Sequence, residues 1–317
     1  MAQDDAFVGI DVAKHELVVH LYPDGDGWRV ANSSKGLRDL AVRLARVARN
    51  RVLRIGFEAS GGYERNLAIL LESKGFKAYL LDPARVRSFA KAEGKRAKTD
   101  PLDAAVIARA LATLHTGLKP WRHDPAAQRL AERIRLRDQF MAQMIQSQNL
   151  LETTIDAVAQ RTTRAHVASL KAKIQRLDKI IADLIAENPV LCQRAKLLRS
   201  APGVGPVVAA TMLAHMPELG TITGKQAAAL AGIAPFDRQS GTSNKPGRCQ
   251  GGRPAVRRAL YLAALSILRT KKSYLAALGL RLKTQGRPFK VAVIATARKL
   301  LVALNAMLKD SQPFLSA

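Results

Sequence analysis

Near its start the chain places apolar residues in short runs rather than in stripes. Phe7–Val12 is such a run, the length of a strand, and Leu17–Tyr22 follows closely enough for a hairpin. Pro23-Asp24-Gly25-Asp26-Gly27 is a turn cluster, and Trp28–Ala31 reads as a third strand. Leu37, Leu40, Leu44 and Val47 have helical spacing, Val52–Phe57 is again a strand, and Gly61-Gly62 opens a helix carrying Leu67, Ile69, Leu70 and Leu71. Lys77–Leu81 is a fifth strand, ended by Asp82-Pro83. The order β-β-β-α-β-α-β-α predicts an α/β domain whose sheet begins antiparallel and continues parallel.

From Leu130 the period becomes seven. Leu130, Ile134, Arg137, Met141, Met144, Gln148, Leu151, Ile155 and Val158 lie alternately four and three apart. After the polar break Gln160-Arg161-Thr162-Thr163, Val167, Leu170, Ile174, Leu177, Ile181 and Leu184 resume the stripe. This predicts a coiled-coil seam on two long helices, folded as an antiparallel hairpin or shared between subunits, with Arg137 and Gln148 setting register. Residues from about 194 onward read as short helices. Gly203-Val204-Gly205 between two of them resembles a helix-hairpin-helix turn, whose exposed N–H groups suit a phosphate; an ordinary helix–helix turn has the same spelling. Phe236–Pro254 is polar, glycine-rich and aperiodic, and reads as a long loop, functional or disordered. The predicted division is 1–118, 119–193 and 194–317.

Charge narrows the function. The chain of 317 residues has 51 Lys plus Arg against 25 Asp plus Glu, a formal charge of +26. With the basic residues spread through every segment, nucleic acid is the first partner to expect; a ribosomal or membrane-surface role is the blander alternative. The only cysteines, Cys192 and Cys249, suit a reducing cytosol and make no zinc site. Asp4 and Asp5 stand where a signal peptide would be basic, and the longest apolar run, Ala259–Leu268, is too short to span a bilayer, so a cytoplasmic protein without a membrane partner is expected. The six histidines are scattered without ligand spacing.

In so basic a chain a few carboxylates draw notice. Asp11 lies in the strand Val8-Gly9-Ile10-Asp11-Val12, where a buried carboxylate needs a metal or a cation; Lys14 is the alternative partner. Glu58 ends a second apolar strand and is followed by the small residues Ala59–Gly62, which leave room for a ligand. Asp100 and Asp103 share a helix face; capping by Thr99 or Asp100, with Pro101 at the first helical position, explains them equally well. Lys95-Arg96-Ala97-Lys98 precede them, and Arg96 and Lys98 are candidate phosphate contacts. Four such carboxylates make a plausible two-metal site for phosphodiester chemistry.

Together these motifs resemble a known family. Gly-Ile-Asp-Val-Ala-Lys at 9–14, Phe-Glu-Ala-Ser-Gly-Gly-Tyr at 57–63 and Lys-Thr-Asp-Pro-Leu-Asp-Ala at 98–104 are similar to the DEDD-type insertion-sequence transposases and the related Piv-type DNA invertases. The resemblance continues through Leu230–Pro235, Arg238-Gln239-Ser240-Gly241 and Gly251–Tyr261. It implies an α/β RNase H-like (RuvC-like) domain, a coiled-coil bridge and a mostly α-helical C-terminal transposase domain with a helix-hairpin-helix-like element. It further implies that Asp11, Glu58, Asp100 and Asp103 bind Mg²⁺, with Mn²⁺ as substitute, and that Ser240 is the DNA nucleophile. The residues alone leave Ser240, Thr242 and Ser243 open, or a polar loop without chemistry. Also implied are donor and target DNA, a bridge RNA as guide, a dimer that becomes a tetramer at synapsis with the carboxylates of one subunit serving Ser240 of another, and a nucleoid-associated place in the bacterial cytosol. Arg238, Lys245, Arg248, Arg253 and Arg257 are candidate nucleic-acid contacts beside Gly203 and Gly205. A junction-resolving RNase H-like nuclease and a non-catalytic architectural DNA-binding protein are the rival readings.

Overall fold

The computed structural model describes residues 5–49, 51–94, 100–240, 243–271 and 273–315, those at 100–102, 236–240 and 243–246 through their backbone. The chain divides into two units, 1–124 and 125–317.

In the first unit the apolar runs become β1 (Asp5–Val12), β2 (Glu16–Tyr22), β3 (Gly27–Ala31), β4 (Val52–Glu58) and β5 (Lys77–Leu81). They form one sheet in the order β3-β2-β1-β4-β5, antiparallel from β3 to β1 and parallel from β1 through β4 to β5. Side chains alternate across it. Val8, Ile10, Val12, Ile55 and Phe57 pack with α1 (Ser34–Val47) and α2 (Arg65–Ser73) on one face. Phe7, Tyr79 and Leu81 pack with α3 (Pro83–Ala92) and α4 (Asp100–Leu114) on the other. The expected α/β order and strand senses are present.

The second unit opens with α5 (Pro125–Thr153) and α6 (Ala157–Glu187). These pack antiparallel: Arg137 pairs with Asp178, and Lys173 lies over the Phe140 ring. The two helices therefore form a hairpin within the chain. Their break falls at Thr154–Asp156, not at the expected Gln160–Thr163, which lies inside α6. Asp156 caps α6 by accepting from the Ala159 N–H, so the polar stretch after it is simply exposed helix near the first turn.

Then come α7 (Pro189–Ser200), α8 (Pro206–His215) and α9 (Gly224–Ala231), the strands β6 (Pro235–Ser240) and β7 (Ser243–Cys249), and α10 (Pro254–Thr270), α11 (Tyr274–Thr284) and α12 (Phe289–Asp310). One apolar core joins α5, α6 and these helices. Where the sequence predicts a loop, β6 and β7 pair as an antiparallel hairpin. Nor does the longest apolar run, Ala259–Leu268 on α10, point to α12, whose own apolar stretch is broken by Arg298 and Lys299. By length and composition α12 could cross a bilayer, with mean hydropathy 1.7 over its most apolar window. Half of that window is buried inside the unit, and Val293, Leu300, Leu301 and Leu304 are fully enclosed, as in a core helix.

Candidate active site

The carboxylates come together because three elements end at the same edge of the first unit. β1 and β4 are parallel and pair Ile10 with Phe57, so the next residues, Asp11 and Glu58, stand side by side at their carboxyl ends. Alternation puts both on the α4 face, opposite Ile10 and Phe57, which are buried against α1 and α2. α4 is let close by glycine: a Cβ on Gly9 would overlap the Ala104 carbonyl and the Ala108 nitrogen, and one on Gly56, its partner across the strands, would press on Leu81 and Leu111. The helix bearing Asp103 thus lies directly on the strand bearing Asp11. A bidentate pair between Arg109 on α4 and Glu93, just past α3, fixes it further, at 2.8 and 2.9 Å.

The electrostatics agree. Burial pushes the Glu58 carboxyl above the ordinary value, and the charges of Asp11, Asp103 and Asp82 push the same way while Arg87 opposes them. Asp11, Glu58 and Asp103 are each half-buried. Such crowding of like charge is what a divalent cation relieves. Among the described residues, no group of three or more His, Cys, Asp or Glu side chains is arranged to hold a metal as it stands. The side chain of Asp100, at the first position of α4, lies outside the described residues, as do Arg96 and Lys98.

Two residues that sequence reasoning missed shape this edge. Asn32 donates to the Ala13 carbonyl at 2.9 Å and to the Tyr63 carbonyl at 3.3 Å, tying the segment after Asp11 to the segment after Glu58. Glu64 accepts from the Ser60 N–H and hydroxyl and from the Gly62 N–H, at 2.9 to 3.0 Å. Burial works against its ionisation, but those hydrogen bonds win and hold its carboxyl below the usual range. Gly61 and Gly62, both at positive φ, make the turn possible. The Ser60-Gly61-Gly62 run followed by an acid was the visible signal.

In the second unit Ser240 is the last residue of β6 and pairs with Ser243. Gly241 and Thr242 lie outside the described residues, as do the side chains of Arg238, Ser240, Ser243 and Lys245. Arg248 pairs with Phe236 and is exposed. Arg253 and Arg257, expected on nucleic acid, make their bonds inside the molecule. Arg253 grips both oxygens of Glu218 at 2.6 and 2.8 Å and donates to the His215 carbonyl at 2.5 Å. Arg257 donates to the carbonyls of Gly232 and Gly251. Gly203 has positive φ and a Cβ there would meet the Ala263 carbonyl on α10, so packing explains this glycine; Gly205 is exposed at the N-cap of α8.

Known proteins match both regions. Residues 8–159, which span the carboxylates, match a DEDD family described as Transposase, and residues 195–278, which span Ser240, match the family described as Transposase IS116/IS110/IS902. The chain belongs to these DEDD transposases. It is 27% identical to the pilin gene-inverting protein of Moraxella bovis, over 97% of each chain. It is 31% identical to the insertion element IS900 uncharacterized 42 kDa protein of Mycobacterium paratuberculosis, over 55% of this chain and 44% of that one. Among solved structures it is similar to Thermus thermophilus RuvC in complex with a Holliday junction substrate. That similarity covers 37% of this chain and all (100%) of that one, with 14% identity and a TM-score of 0.30. As a DEDD transposase the chain is an enzyme of DNA recombination, and a DEDD carboxylate domain suggests dependence on a divalent metal.

Proposed function

We propose that this transposase cuts and rejoins DNA with a carboxylate-held Mg²⁺ site in its first unit and a serine nucleophile in its second. The observation that carries the metal site is the meeting of Asp11, Glu58 and Asp103 at one edge, with the Glu58 carboxyl raised by burial and by its acidic neighbours. With Asp100 they offer a hard oxygen donor set of the kind Mg²⁺ takes, and Mn²⁺ would substitute. Bound there, the metal would withdraw charge from a scissile phosphate and its departing oxygen. Asp11, Glu58, Asp100 and Asp103 would be the residues that hold the metal.

Ser240 then attacks phosphorus through its oxygen. Its proton passes to a neighbouring base, one P–O bond to a strand end breaks, and that end leaves as a hydroxyl after taking up a proton. The phosphoserine conserves the bond energy, and the hydroxyl of another strand reverses the step to rejoin DNA. The family motif supports Ser240 over Thr242 and Ser243. Donor and target DNA are the substrates, drawn by a formal charge of +26. A guide RNA and a homo-oligomer complete the proposal, the first resting on the family resemblance and the second on the exposed apolar end of the α5–α6 hairpin, where Leu150, Ile155 and Val158 face outward.

Asp11→Asn and Asp103→Asn test the metal reading. Each leaves the fold intact and abolishes strand exchange at millimolar Mg²⁺; wild-type exchange by both would refute it. For the RNA, protein purified from its native host carries a discrete transcript encoded beside its own gene, and full recombination by RNA-free protein would rule guidance out.

A further inference from the structure

The β6–β7 hairpin cannot orient itself. It forms a two-stranded sheet of its own, and its sequence, Pro-Phe-Asp-Arg-Gln-Ser and Ser-Asn-Lys-Pro-Gly-Arg-Cys, offers no apolar face to bury. Isolated hairpins are marginal in water. Ser240 stands five residues beyond Pro235, roughly 16 Å from the base at about 3.3 Å per residue. On a lever of that length a tilt of roughly 10° moves the serine by about 3 Å, enough to misalign a reacting oxygen.

What fixes the base is a crossing of backbones. The chain enters the hairpin just after Gly232, the left-handed C-cap of α9, and leaves it through Gly251 and Gly252, all at positive φ. A Cβ on Gly232 would overlap the Gly251 carbonyl, and one on Gly252 would overlap the Gly232 nitrogen. Only glycine fits this contact. The Arg253 N–H bonds the Leu230 carbonyl at 2.8 Å, so the two legs are joined there. Arg257 stitches the crossing from α10 through the Gly232 and Gly251 carbonyls, at 3.3 and 3.0 Å. Arg253 carries it to the rest of the bundle through Glu218 and the His215 carbonyl, at the end of α8 and in the segment that follows it.

We infer that Arg253, Glu218 and Arg257, with the Gly232/Gly251–Gly252 crossing, are positioning residues that set the angle at which Ser240 is presented to DNA. This rests on the reading of Ser240 as nucleophile. The guanidinium groups act through the hairpin base rather than on the phosphate.

The test compares Arg253→Met, Arg253→Lys and Glu218→Gln with wild type in the full chain, by three readouts. Hydrogen exchange at the amides of β6 and β7 quickens in Arg253→Met, while amides of α8, α10 and α12 keep their protection. On a nicked suicide DNA, adduct formation at saturating DNA slows by about 10- to 100-fold, with the Kd for DNA within about twofold of wild type, since no phosphate contact is lost. Arg253→Lys and Glu218→Gln, which keep part of the pairing, recover part of the rate. Unchanged hairpin exchange in both Arg253→Met and Glu218→Gln overturns the clamp, and so does a wild-type adduct rate in Arg253→Met. A loss of DNA affinity that matches the loss of rate shows Arg253 to be a DNA contact instead. If wild type itself forms no adduct, the serine reading has failed, and the exchange data alone then decide whether the clamp exists.

Discussion

At Gly9 a hydrogen in place of a methyl decides where the acidic helix can lie. α4 touches β1 at this point, and Gly9→Ala would force helix and strand apart, an overpacking cost of about 1–3 kcal/mol. Urea unfolding followed by circular dichroism reads that loss, and under the proposed metal site Mg²⁺ is expected to protect the variant less than wild type, because Asp103 would have moved from Asp11. Glu64 and Asn32 act on the same edge without touching the reacting groups. Glu64→Gln loses the charge that gathers Ser60 and Gly62, and is expected to weaken Mn²⁺ binding about 10-fold, the usual scale for partners that support a ligand. Titration by electron paramagnetic resonance measures it, and unchanged affinity would dismiss Glu64 as a mere loop residue. The candidate carboxylates are legible in the sequence because charge stands out against an apolar strand. Asn32 is not, since its partners are the Ala13 and Tyr63 carbonyls, which only the folded loops bring near, and Glu64 leaves only the local signal of the Ser60-Gly61-Gly62 run.

At the scale of elements, the sheet is legible and the second unit's details are less so. Strands enclosed on both faces spell continuous apolar runs, and the cap-like Asp82-Pro83 marks its boundary twice, as the end of β5 and the N-cap of α3. The break between α5 and α6 eludes the sequence because polarity at Gln160–Thr163 imitates a turn, whereas the turn is set by the Asp156 cap. The β6–β7 hairpin is hidden because it is mostly polar, with no alternating apolar face, and rests on glycines about twenty residues apart in sequence. At the hairpin end of α5–α6, Leu150 is 56% and Ile155 94% exposed, so Leu150→Asp with Ile155→Asp leaves the single chain folded. Light scattering is expected to show it as a monomer where wild type self-associates; an unchanged mass would remove this end from the interface.

The clamp of Glu218 also has a pH signature. Burial opposes its ionisation, but the hydrogen bonds and charge of Arg253 outweigh that and hold the carboxyl below its ordinary 4.5. A depressed folded value means the unfolded chain binds the proton more readily. The contribution is therefore complete above pH 4.5 and lost as pH falls through the lowered folded value. Unfolding midpoints followed down from about pH 6 fall less steeply for Glu218→Gln than for wild type. Identical slopes would mean that the pair contributes nothing to the fold.

For the whole molecule, the family and the basic charge are readable in the amino-acid sequence, because a formal charge of +26 points to nucleic acid and the acidic motifs around Asp11, Glu58 and Asp103 point to chemistry on it. What the fold adds is the convergence of Asp11, Glu58 and Asp103 and the anchoring of the hairpin that carries Ser240. A covalent bond between protein and DNA is the decisive observable. Wild-type protein incubated with Mg²⁺ and a suicide DNA substrate, denatured, digested and sequenced by mass spectrometry, should yield one peptide carrying a nucleotide phosphate on Ser240. Ser240→Ala should bind the same DNA and leave no adduct, while Ser243→Ala retains it. DNA cleaved by wild type with no protein attached, or an adduct that persists in Ser240→Ala, would contradict the serine mechanism.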